Sequence, residues 1–189
     1  MFFQAYSKDE AIKVWDPTFG ADVLPEDFIR ISNDKLQKAK AVFGHLPVVT
    51  FLGHSVAQKR FQSGEFQIVS TVRDPIDRII SLYNYVKVNA EHPGNKAMMS
   101  IDPVEFIRKQ KINFQFEFLQ SNLTPNVDDM LEKLKLFKVS SSIENLIPII
   151  SEDTGRLLTT PKKANVTAER NVDNIELFNK NMLNNEIMK

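Results

Sequence analysis

Residues 66–72 (FQIVSTV) run without a break into Arg73-Asp74-Pro75, and that order leaves few ways to fold. A short, largely uncharged run rich in β-branched residues reads as a strand buried on both faces. Asp74 followed by Pro75 is a strong helix start: the carboxylate caps the first N–H groups, and proline is preorganised for the first helical position. Ile76, Ile79, Ile80 and Tyr83 then fall at i, i+3, i+4 and i+7, one apolar face of a helix. A strand delivered straight into a capped helix is the repeating unit of layered α/β folds.

The rest of the chain reads in the same alternating way. Residues 25–40 are predicted as a charged amphipathic helix broken near Ser32-Asn33, and residues 41–43 and 48–52 as short extended pieces around Gly44-His45. Asp102-Pro103 repeats the helix start, ahead of Phe106 and Ile107. Pro125-Asn126 opens a third helix with Val127, Met130, Leu131, Leu134 and Phe137 on one face. Residues 138–143 read as a further strand, residues 144–153 as a helix, and 161–167 as a polar, basic loop. Residues 171–187 close the chain as a helix carrying Ile175, Phe178, Met182 and Ile187. The expectation is an α/β fold, a mostly parallel sheet flanked by helices, in a single domain over residues 1–189.

Composition removes several function classes. Lys plus Arg is 24 and Asp plus Glu is 24, so the chain lacks the basic excess of a dedicated nucleic-acid or membrane-surface binder. There is no cysteine, which excludes disulfides, thiol nucleophiles and cysteine-ligated metals. The three histidines, His45, His54 and His92, show no metal-binding spacing, and no metal site is expected. No targeting segment or membrane-length apolar run is read, so the expected location is cytoplasmic. The six glycines never lie closer than Gly44 and Gly53, so no glycine-rich phosphate loop is encoded.

The chemistry concentrates between residues 70 and 86. Arg73 stands at the carboxyl end of the predicted strand, where ligands of open α/β sheets bind. The amino end of the following helix is expected to add N–H groups and a favourable dipole for an anion, and a guanidinium fork matches a phosphate. Ser81 falls about 140° from the apolar face at 100° per residue, and is therefore expected off the core, with Arg78 nearly opposite that face. The same pattern also suits a plain surface, with Arg73 paired to Asp77 and Ser81 hydrated. His45 carries an imidazole whose ordinary pKa near 6.5 suits proton abstraction at neutral pH, and a structural turn histidine fits the position equally. His54 and His92 read as structural or exposed. Lys162 and Lys163, in the basic loop, are a further anion candidate or a solvated pair.

The sequence RDPIDRIISLY, residues 73–83, resembles the 3′-phosphate-binding motif of sulfotransferases that use 3′-phosphoadenosine 5′-phosphosulfate (PAPS). In that superfamily the leading Arg and the Ser eight residues later hold the nucleotide's 3′-phosphate; here they are Arg73 and Ser81. Residues 42–47 (VFGHLP) resemble a stretch of the carbohydrate branch, which includes bacterial members and the heparan sulfate 2-O-sulfotransferases. The histidine of that stretch acts there as the base toward the acceptor hydroxyl, which implies His45. Asn165-Val166, then Asp173 to Phe178, resemble the branch's closing segment, and a late loop of these folds closes over the 3′-phosphate, which implies Lys163. The likeness spans about residues 40 to 180.

The resemblance implies a P-loop-type sulfotransferase fold, PAPS or adenosine 3′,5′-bisphosphate as nucleotide, and a carbohydrate or small-molecule acceptor. It also implies a loop of the type Pro-Lys-Thr-Gly-Gly-Thr between a first strand and first helix, and this sequence has none. Met1 is expected near the end of that first helix, with the first strand and the phosphosulfate loop missing. A true start upstream, a non-catalytic relative, and a loop supplied by another chain are the three readings of that gap. A sheet lacking a strand leaves unpaired edges, so a homo-oligomer or poor solubility is expected.

Overall fold

In a computed structural model, residues 6–7, 9–15, 22–90 and 92–138 are described, together with positions 148, 151, 152 and 155. They form a mixed α/β protein whose elements fall into two compact units. One comprises the described residues up to Val72 and from Phe114 onward; the other is Arg73–Asn113.

The first unit contains two parallel strand pairs. Strand β1 (Ala11–Val14) pairs with β2 (Ala41–Gly44) in the register Ala11↔Ala41 through Val14↔Gly44. Between them lie a 3-10 segment, Pro25–Arg30, and helix α1 (Asn33–Lys38). The predicted break near Ser32 is real: Ser32 is the N-cap of α1, its hydroxyl accepting from the Lys35 N–H at 3.3 Å. The core of this unit gathers Ile12, Val14, Phe28, Leu36, Phe51, Phe66, Met130 and Leu134.

Sequence periodicity did not mark β1. A strand stands at residues 11–14, and the expected helix end at Met1 lies outside the described residues. Four residues are too short to display a period of two, and β1 is fixed by its partner. The Glu10 carbonyl accepts from the Lys40 and Ala41 N–H groups, and the Lys40 ammonium pairs with the Glu10 carboxylate.

Residues 48–52, expected as an extended piece, are instead helix α2 (Val48–Gly53). Val48, Phe51 and Leu52 are buried, which is the i, i+3, i+4 spacing of a helix, and tertiary burial overrides the β-propensity of Val48-Val49. Helix α3 (Ser55–Gln62) follows directly. His54 joins the two: its Nδ1 accepts from the Val56 N–H at 3.2 Å, so Nε2 carries the proton and donates to the Ile31 carbonyl at 2.9 Å. That is the structural role expected of it.

The strand of residues 66–72 is also corrected. Only Val69–Val72 (β3) is extended, and its side chains alternate between exposed and half-buried where burial on both faces was expected. Its partner, in parallel, is β4 (Lys135–Lys138), three residues earlier than the predicted strand; residues 139–143 lie outside the described residues. Among the described residues β3 pairs with β4 alone, and two strands cover neither face completely, which accounts for the exposure of Val69.

Before β4 come α7 (Phe114–Leu119) and α8 (Val127–Lys133). The predicted start of α8 holds, with Asn126 as its N-cap. Its predicted apolar face does not: Met130 and Leu134 are buried, but Val127 and Leu131 point to solvent and Phe137 belongs to β4. The turn between α7 and α8 is closed by two hydroxyls. Thr124 donates to the Leu119 carbonyl at 2.9 Å, so the Ser121 hydroxyl donates to Thr124 at 2.8 Å while accepting from the Leu123 and Thr124 N–H groups.

The second unit is helical: α4 (Pro75–Val88), α5 (Asn95–Ser100) and α6 (Pro103–Arg108). Ile79, Tyr83 and Val86 of α4 are buried with Met98, Phe106 and Ile107, and Ile76 and Ile80 pack on that cluster, as the helical period predicts. Tyr83 meets Phe106 with ring centroids 5.3 Å apart. Asp102 caps α6 through the Val104 and Glu105 N–H groups, the second predicted Asp-Pro start. Pro148, Ser151 and Glu152 are helical. The rest of the predicted helix at 144–153, the basic loop and the closing helix lie outside the described residues. No described helix is long and apolar enough to cross a membrane.

Candidate functional site

Arg73 follows β3 in the chain and precedes the cap of α4. Asp74 Oδ1 accepts from the Ile76 and Asp77 N–H groups at 3.0 and 3.1 Å, and its carbonyl accepts from the Arg78 N–H at 2.9 Å. Pro75 has no N–H. The first turn of α4 therefore has no unspent donor, and it carries the negative charge of Asp74. This corrects the expectation that the helix end would offer N–H groups to an anion. Arg73 and Ser81 are both exposed, in the same unit, flanking the first two turns of α4. Ser81 is off the core, as its helical angle predicts.

Arg78 does not point away from the protein as its angle suggested. It is half-buried and donates to the Lys111 carbonyl at 3.1 Å, and burial lowers its pKa from the ordinary guanidinium value. It secures the segment after α6 to α4.

His45 belongs to the first unit and lies one residue beyond β2. Its backbone N–H donates to the Val14 carbonyl at 3.1 Å, and its ring rests on the indole of Trp15, centroids 3.7 Å apart and planes inclined by 45°. Trp15 is likewise one residue beyond β1, so the parallel register brings both rings to the carboxyl ends of paired strands, the usual place for ligands in such sheets. His45 remains at the surface, yet the surrounding protein lowers its imidazole pKa below the ordinary 6.5 by desolvation. A neutral imidazole at neutral pH can accept a proton.

Gly44 makes this arrangement possible. Its φ is +141°, and a Cβ built there would stand 1.7 Å from the Val14 carbonyl oxygen. Sequence reasoning missed Trp15, because β1 was not marked; the available signal was a single Trp directly after the apolar residues of AIKV.

His92 accepts from the Gly94 N–H at 3.0 Å, a turn role. Lys162 and Lys163 lie outside the described residues. Among the described residues, no group of three or more His, Asp or Glu could hold a metal ion. No family model, curated protein or solved structure matches the chain.

Proposed function

We propose that this protein binds a 3′-phosphorylated adenine nucleotide through Arg73 and Ser81, and acts in sulfuryl transfer from PAPS to a hydroxyl of a carbohydrate or small-molecule acceptor. The observation that carries the reading is Arg73 between β3 and the Asp74-capped helix α4, with Ser81 exposed on that helix. Because the first-turn N–H groups are spent on Asp74, the guanidinium and hydroxyl are the donors such a phosphate would use. Arg73 supplies charge and a two-pronged donor set, and Ser81 a single hydroxyl donor. Lys163 is assigned as a further phosphate contact through the resemblance.

His45 is assigned as the base, and its lowered pKa supports that role. In the transfer, the bond from sulfur to the bridging oxygen breaks and a bond from sulfur to the acceptor oxygen forms. The acceptor proton passes to His45, and adenosine 3′,5′-bisphosphate leaves. The protein is proposed to work in the cytoplasm as a homo-oligomer. Exposed Val69, Val127 and Leu131 support association, and light scattering that reports a monomer would remove that part.

Calorimetric titration with adenosine 3′,5′-bisphosphate tests the nucleotide site. Arg73→Ala should weaken binding about tenfold to a hundredfold, the worth of a charged hydrogen-bond set, and Ser81→Ala by less. Unchanged binding in the Arg73→Ala protein would overturn the assignment. His45→Ala should leave nucleotide binding intact and abolish transfer of labelled sulfate.

A second reading is nucleotide binding without transfer. It is favoured by the sequence itself, which holds no glycine-rich loop to cradle a 5′-phosphosulfate. Normal binding of the bisphosphate with no labelled product, whatever the acceptor, would select it.

A further inference from the structure

We propose that Trp15 and His45 together form a preorganised platform for a pyranose ring, with Trp15 stacking on the sugar's apolar face and the imidazole meeting a ring hydroxyl. This rests on the reading of the protein as acting on hydroxyl acceptors and narrows the acceptor class to carbohydrate.

Trp15 is the only tryptophan of the chain, and 42% of its surface is exposed although its neighbours Ile12 and Val14 are buried. A large ring kept at the surface beside an apolar core forgoes burial worth about 25 cal/mol per Å². The backbone that carries it is held on both sides. The Trp15 backbone N–H donates to the Val23 carbonyl at 3.0 Å, and Val14 bridges Val23 in parallel. The loop residue Asp22 is tied back in turn, its carboxylate accepting from the Lys13 N–H at 2.7 Å. On the other side the His45 backbone is fixed by the Val14 carbonyl and by the conformation only Gly44 allows. Two rings carried on fixed backbones and packed against each other have less entropy to lose on binding.

The two rings also divide the recognition of a sugar sensibly. A pyranose has a face of C–H groups and an edge of hydroxyls. The indole offers an apolar face of matching size, and the neutral imidazole offers one donor and one acceptor. A nucleobase is the competing occupant, since it too stacks on tryptophan, and it is separated by experiment.

Intrinsic fluorescence reports on Trp15 alone. The full chain is titrated, without nucleotide, with cellohexaose, chitohexaose and tri-galacturonate, and separately with adenosine 3′,5′-bisphosphate. Saturation-transfer NMR should show contact from indole protons to sugar ring protons. At least one oligosaccharide should shift the emission, and calorimetry should show Trp15→Ala weakening its binding about tenfold or more, with Trp15→Phe intermediate. No shift and no saturation transfer with any of the three sugars would overturn the proposal. So would an emission change produced by the bisphosphate alone, which would assign the platform to the base. Because the sugar titrations contain no nucleotide, loss of the nucleotide site leaves their outcome readable. Should Trp15→Ala fail to fold, the saturation-transfer result on the unaltered protein still decides.

Discussion

The Val14 carbonyl oxygen occupies the space that a side chain at Gly44 would need. A Cβ there would stand 1.7 Å from that oxygen, and the backbone already has a φ of +141°. Val14 and Gly44 are the last register pair of β1 and β2, so the constraint acts where the strands hand the chain to Trp15 and His45.

Gly44→Ala should therefore be severe. Neither backbone can yield without breaking the pair, and the loss should reach about 3 kcal/mol or more. Urea denaturation measures it, and the emission of Trp15 should show the indole displaced from His45 in whatever folded protein remains.

Arg60 should prove a structural cation. Its guanidinium donates to the carbonyls of Leu36 and Ala39 at 2.8 and 2.7 Å and to Gln37 at 3.3 Å, pairs with Glu65 at 2.9 Å, and lies 3.8 Å from the centroid of the Phe66 ring. It closes the carboxyl end of α1 from 21 or more residues away. Arg60→Ala should cost about 2 kcal/mol. Arg60→Lys should recover only part, since an ammonium cannot fork across those carbonyls.

Removing the cap of α4 gives a smaller, cleaner effect. Asp74→Ala should lower stability by about 1 kcal/mol, and Asp74→Asn should restore most of it, because the amide oxygen also accepts from the Ile76 and Asp77 N–H groups. Thermal melts of the three proteins at one pH would show the order.

Acidification should destabilise the protein in two steps. Desolvation lowers the His45 pKa from 6.5, so below about 6.5 the unfolded chain takes up a proton before the folded one does, and stability falls with falling pH. Trp15 emission, quenched by imidazolium, should titrate with a midpoint below 6.5. Glu10 acts lower: hydrogen bonds from Lys40 and then Ser7 bring its pKa from 4.5 to about 2. Its contribution is complete above about 4.5 and is lost as pH drops toward 2. Lys40→Ala should reduce the acid step alone. Urea midpoints unchanged between neutral pH and about pH 5.5 would contradict the His45 part.

The sequence by itself determined the starts of α1, α4, α6 and α8 and the core face of α4, while α2, α3, α5 and α7 were not read from it. Ser32, Asp74, Asp102 and Asn126 all cap the helices they precede, because a cap is settled by hydrogen bonds two or three residues along the chain. Ile79 and Tyr83 are buried because three- and four-residue spacing is a property of the helix alone. Only the tertiary structure decided the strands. Four-residue β1 carries too little pattern to declare itself, β3 keeps only the last four residues of the strand read at 66–72, and each exists through hydrogen bonds to a partner 30 or more residues distant. It also turned residues 48–53 into a helix, left Val69 and Leu131 exposed, and gave Arg78 to the Lys111 carbonyl. The contact of Trp15 with His45 is of the same kind. Each ring is ordinary in its own stretch of chain, and they meet because Gly44, lacking a Cβ, lets β2 lie against the Val14 carbonyl.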